Sequence, residues 1–148
     1  MNPFEELLIE LGIQMGTSLV PDSNQACLLH FHGSLTCQIE LDSNADHLIV
    51  GAQLGQLFIG KYREQILLLA MQVNGATDLL RGTLAFSPKN ETLVLFERLE
   101  LASTNGVKLY NFLLIFMEHL RQWKEALQKD EIPAIDELLA GHTFEQKI

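Results

Sequence analysis

Positive charge is what this chain has least of. Ten Lys and Arg stand against nineteen Asp and Glu, giving 148 residues a formal net charge of −9. Phosphate backbones demand a basic footprint, so nucleic acid is not an expected partner, and the same charge opposes an anionic membrane surface. Long hydrophobic runs are missing too, none approaching the roughly 20 residues that cross a bilayer. The opening Pro3-Phe4-Glu5-Glu6 carries acids where a secretory signal carries Lys or Arg, and no small-residue cleavage site follows, so the expected location is the cytosol. Cysteine is scarce: Cys27 and Cys37 fall on inward positions of strand-like runs, which predicts buried free thiols rather than a disulfide.

Catalytic signatures are equally thin. The ten glycines are dispersed, and none makes the phosphate-cradling spacing that precedes a nucleotide-binding helix. No serine elbow or recognisable carboxylate pair appears, and His47, His119 and His142 are coupled to no nucleophile by any local pattern. His30 and His32, two apart on a strand-like run, point the same way, yet two ligands are too few for a metal site. The chain is therefore expected to be neither an enzyme nor a holder of cofactor or metal.

What is present is a globular pattern of 47% hydrophobic and 20% charged residues, enough for one domain. Phe4, Leu7, Leu8 and Leu11 recur at helical spacing over residues 3–12, with Pro3 in the first turn and Gly12 as a stop. Two alternating runs, Ala26–His32 and Thr36–Leu41, read as a hairpin. A loop through Leu35 that pairs Phe31 with Cys37 and Leu29 with Ile39 gives a clean apolar face, with Leu28, His30 and His32 opposite. A third strand, His47–Leu54, puts Leu48, Val50, Ala52 and Leu54 on one side and Ile49 on the other. A second hairpin follows, Thr83–Phe86 and Thr92–Leu101, and a long helix over about 104–128 closes the domain with one stripe from Leu109 to Leu127. The predicted class is α+β, a mainly antiparallel twisted sheet with three helices in the order α-β-β-β-α-β-β-α, spanning 1–129. A Pro-interrupted acidic tail over 130–148 follows, with one weak amphipathic turn expected at Ile135–Leu139.

The segment at about 60–74 is apolar on two sides: Tyr62, Ile66, Leu69, Ala70 and Val73 gather on one, Leu67, Leu68 and Met71 on much of the other. A small domain covers one side with its own sheet, so the second predicts a homodimer. Ile9, Leu28 and Ile49 lie on less buried sides of their elements. They are either scattered surface aliphatics or part of a groove for an extended or helical peptide, and edge strands accept such a peptide by backbone pairing.

Specific stretches carry a family resemblance. The helix ending Leu11-Gly12, then Asn24-Gln25-Ala26-Cys27-Leu28-Leu29 and Leu48-Ile49-Val50-Gly51-Ala52-Gln53-Leu54-Gly55, resembles the opening of the class I chaperones of bacterial type III secretion, the Tir-chaperone family. Arg63 through Asn74 is similar to that family's second helix, Thr83 to Ser87 and Thr92 to Leu95 to its fourth and fifth strands, and Phe116 through Trp123-Lys124 to the end of its last helix. The resemblance implies an acidic, cytosolic homodimer that holds the N-terminal segment of secreted effectors in a partly unfolded form without catalysis. It makes Leu7, Leu8, Leu11, Leu28, Leu29, Ile49 and Val50 candidates for effector binding, and Ile66, Leu67, Leu69, Ala70 and Val73 candidates for the dimer interface. A regulatory or scaffolding protein of the same fold that binds a folded partner is the alternative.

Overall fold

The computed structural model describes residues 2–76 and 82–140. The first helix, α1 (Pro3–Met15), starts where Asn2 accepts a hydrogen bond from the Glu5 N–H at 2.8 Å. Gly12, expected to stop it, is interior: the helix runs one turn further and ends at Gly16, whose φ of 71° is the left-handed cap conformation. The glycine at 12 serves a close approach instead. A Cβ there would lie 2.5 Å from the Thr17 carbonyl oxygen, on the stretch that folds back against the helix.

Strands β1 (Ala26–His30) and β2 (Thr36–Leu41) form the first hairpin. Its register pairs Cys27 with Ile39 and Leu29 with Cys37, two residues away from the expected pairing. A two-residue shift keeps every side chain on its face, so the covered set is still Cys27, Leu29, Cys37 and Ile39. The turn is the 3₁₀ segment His32–Ser34, closed by the Phe31 N–H donating to the Leu35 carbonyl at 2.7 Å. His32 thus leaves the strand, and the expected His30–His32 pair on one strand face does not form.

β3 (His47–Gln56), α2 (Lys61–Ala76), β4 (Thr83–Ser87), β5 (Thr92–Glu100) and α3 (Gly106–Gln128) follow in the expected order. The strands make one antiparallel sheet, β1-β2-β3-β5-β4. The main core lies on one side of it, where α1 and α3 bring Leu8, Leu11, Leu113, Phe116 and Leu120 together with Leu29, Ile39, Leu48, Val50 and Leu95. Burying each such side chain contributes about 1.5–3 kcal/mol. Glu10 of α1 accepts from the Gly106 N–H at 2.9 Å, tying the first turn of α3 to α1. Within α3 the Trp123 indole donates to His119 Nε2 at 2.9 Å, so that buried ring nitrogen is unprotonated.

α2 crosses toward the other edge. Asn74 holds both backbone groups of Leu84, donating to its carbonyl and accepting from its N–H at 2.9 Å each. In the acidic tail expected from residue 130, the turn expected at Ile135–Leu139 forms but is docked on the domain rather than separate from it. A one-turn helix, α4 (Ile135–Leu138), inserts Leu138 into the core, and the Tyr62 hydroxyl reaches the carbonyls of Ala126 and Glu131. Burial, then Asp130 and Glu131, push that phenol up to about 12, so it keeps the proton it donates. Residues 141–148 of the expected tail lie outside the described residues.

Candidate binding surfaces

The sheet face turned away from α1 and α3 follows from strand alternation. One row runs across all five strands: Leu28 opposite Gln38, Gln38 opposite Gly51, Gly51 opposite Phe96, Phe96 opposite Thr83. Glu40, Ile49 and Arg98 make the neighbouring row on β2, β3 and β5. Because Gly51 carries no side chain, the face dips at β3. A trough of about 640 Å³ results, lined by Leu28, Gln38, Ile49, Val94 and Phe96, with Lys124 of α3 also in its lining. Leu28 is 53% exposed and Phe96 37%, and together with Ile49 and Val94 they make the apolar part of the trough's lining.

The β1 margin of this face is an open sheet edge. At one end Asp22 occupies Ala26, its carboxylate accepting from the Ala26 N–H at 3.0 Å while its own N–H donates to the Ala26 carbonyl. At the other end the Phe31–Leu35 bond closes the turn. Between them Leu28 and His30 alternate with the residues bonded to β2 and turn their N–H and C=O groups outward. Among the described residues only a long contact from Cys27 Sγ, 4.0 Å from the Leu28 carbonyl, engages them.

A second apolar surface is the outer side of α2. Leu68 is 58% and Met71 71% exposed, and the preceding loop presents Phe58 and Ile59. The expected interface residues divide differently: Ile66, Leu69, Ala70 and Val73 are buried against the chain's own core, and Leu67 is half-buried. The effector-binding candidates divide likewise. Leu7, Leu8, Leu11, Leu29 and Val50 are buried, because α1 and α3 cover that side of the sheet, whereas Leu28 and Ile49 stand on the open face. Phe96 and Val94 were not singled out from the sequence. The available signal is the unbroken apolar run Leu93–Phe96, which puts apolar side chains on both faces of β5.

Polar clusters near the sheet are structural. Asp42, Asp46 and His47 bring three ligand atoms within 4.8 Å. Asp42 is already engaged, taking the Arg98 guanidinium at 3.1 Å and the His47 N–H at 3.4 Å. Burial raises its carboxyl, but Arg98 and the backbone groups of His47 and Asn44 hold it below the usual carboxylate range. This cluster pins the β2–β3 turn. Cys37 is sealed by burial, and with Cys27 beside it the thiol is pushed up to about 12; Cys27 is also raised. Neither has the thiolate character that reactivity requires.

A family model, the Tir chaperone protein (CesT) family, matches residues 6–124. The chain belongs to that family. No curated protein sequence matches it. Solved members of similar fold include a chain of the HopA1-SchA chaperone-effector complex, at 14% identity and a TM-score of 0.66 over 84% of this chain and 94% of that one. The Yersinia pestis type III secretion chaperone SycH structure, with a fragment of YscM2, matches at 15% identity and a TM-score of 0.66, covering 81% and 98%. The Pseudomonas aeruginosa ExoU-SpcU complex matches at 23% identity and 0.58, covering 86% and 99%. For this CesT-family chain, those likenesses establish the fold, an open five-stranded sheet with helices. No helix among its described residues is long and apolar enough to cross a membrane.

Proposed function

We propose that this chain is a type III secretion chaperone of the bacterial cytosol. As a homodimer it binds the N-terminal chaperone-binding segment of one or more effectors and keeps it soluble and competent for export, with no catalysis and no cofactor. Family membership supports the reading, as do the similar folds solved in the HopA1-SchA chaperone-effector complex and in the type III secretion complex ExoU-SpcU.

One structural observation carries the mechanism: an open sheet edge at Leu28 and His30 borders the apolar trough. A segment without a fold of its own that pairs there gains backbone hydrogen bonds of about 0.5–1.5 kcal/mol net each. Its alternate side chains then fall beside Leu28, at the rim of the trough. Many modest contacts offset the cost of ordering the segment, which stays extended and ready to be threaded. The dimer forms through the outer side of α2, Leu68 and Met71, with Phe58 and Ile59 beside it, because the inner side is filled by the chain's own core.

The test is purification of the complex from a type III-secreting bacterium, with its mass read by light scattering. The expected product is a dimer carrying one secreted protein, whose N-terminal segment is protease-sensitive when free. Deletion of the chaperone is expected to lower that protein's solubility and export. Unchanged solubility and export overturn the proposal, and recovery of folded cytosolic partners alone moves the function to a regulatory protein of the same fold.

A further inference from the structure

A second cleft, of about 540 Å³, lies between α1 and the end of β5 and shares no lining residue with the trough. Its apolar lining is Pro3 of α1, Ala45 of the β2–β3 turn, and Leu101 and Ala102 just after β5; Leu7 of α1 also borders it but is itself buried. Around this stand four carboxylates: Glu6 and Glu10 from α1, Asp46 from the β2–β3 turn, and Glu100 from β5. No Lys or Arg lines the cleft. Glu10 is partly spent on the Gly106 N–H, and Asp46 lies 2.9 Å from His47 Nδ1. The side-chain carboxylates of Glu6 and Glu100 make no bond among the described residues. Glu6 and Glu10, one turn apart on α1, repel each other.

We propose that this cleft receives a Lys or Arg side chain set among apolar neighbours on a bound protein segment. Charge complementarity chooses the occupant. The methylene stem of a long basic side chain covers Pro3 and Leu101, and its cationic head settles between the Glu6 and Glu100 carboxylates, which pair with no Lys or Arg among the described residues. An acidic side chain meets repulsion there, and a purely apolar one leaves the carboxylates as they were. The inference rests on the reading of this chain as a binder of unfolded segments and adds a chemical requirement to it. The client carries a basic residue within an apolar stretch, engaged away from the sheet edge.

Two synthetic peptides test this without any knowledge of the client: Ac-Leu-Lys-Leu-Arg-Leu-NH₂ and the same sequence with Glu in place of Lys and Arg. In titrations followed by amide NMR shifts, the basic peptide is expected to move Glu6, Leu7, Asp46 and Leu101. The variant Glu6→Gln with Glu100→Gln, at two exposed positions, is expected to bind it about tenfold more weakly, with a smaller salt dependence. The acidic peptide is expected to leave these residues unmoved. Equal shifts with both peptides, shifts confined to the sheet face, or undiminished binding by the variant overturn the proposal. These readouts need no effector, so failure to recover one from the bacterium and failure of the cleft are separate results.

Discussion

The two faces of the sheet are built from the same strands, yet adjacent residues on them have opposite fates. Val50 is fully buried under the helices, while Ile49 stands half-covered on the open side between Glu40 and Arg98. Leu29 is fully buried, and Leu28 is more than half exposed at the sheet edge. α2 repeats the contrast, Leu69 inward and Leu68 outward. Hydrophobicity alone therefore does not mark a binding residue in this family member. What distinguishes the candidate residues Leu28, Ile49 and Leu68 is an apolar side chain on the open side whose neighbour in sequence already fills the core.

The largest expected effects come from putting a charge on the covered side. Val50→Asp and Leu69→Glu each bury an unpaired carboxylate and are expected to cost about 3–5 kcal/mol, seen as a loss of cooperative unfolding in urea. Leu68→Glu, one residue along, is expected to leave the far-ultraviolet circular dichroism unchanged and to convert the proposed dimer to monomer in light scattering. A stable, fully dimeric Leu68→Glu protein places the interface elsewhere.

An intermediate effect is expected at high pH. The Cys37 thiol is raised from 9.0 to about 12 in the fold, so above pH 9 an unfolded chain ionises while the native one stays protonated. Fewer protons are then bound by the unfolded state, and stability falls by about 1.4 kcal/mol per pH unit between those values from this group. Below pH 9 both states hold the proton and the contribution is flat. Cys37→Ala is expected to remove that part of the alkaline slope in denaturant titrations, whatever it does to the stability at neutral pH.

Most of this architecture was legible in the residues. Alternation gave the covered face of the first hairpin, and the stripe from Leu109 to Leu127 gave α3. The hairpin register was not legible, because a two-residue shift preserves the faces, and the turn is decided by left-handed conformations at Gly33 and at Ser34, whose φ is 64°. Gly12 reads as a helix stop in a sequence and proves to be a point of close approach. Which apolar residues of the candidate surfaces are exposed was half legible for a related reason. On α2 both sides are apolar, and no local pattern tells which one meets the chain's own core. On β5, the outward position of Phe96 depends on a long-range pairing with Gly51.

The smallest expected effect on stability belongs to the residue expected to matter most for binding. In Leu28→Asp the new carboxylate is solvated, its backbone groups already face outward, and stability is expected to change by no more than about 0.5 kcal/mol. Partner affinity is another matter. A guest strand at this edge must bring its own apolar side chain against position 28, and a carboxylate there removes the apolar contact and, once covered, loses its water. The loss is expected to be about tenfold or more, measured by calorimetry with the purified partner segment. Leu29→Asp at the next position separates the two roles, since it destroys the fold first. If Leu28→Asp keeps both stability and affinity, the segment does not pair along β1, and the open face of the sheet is surface without an occupant.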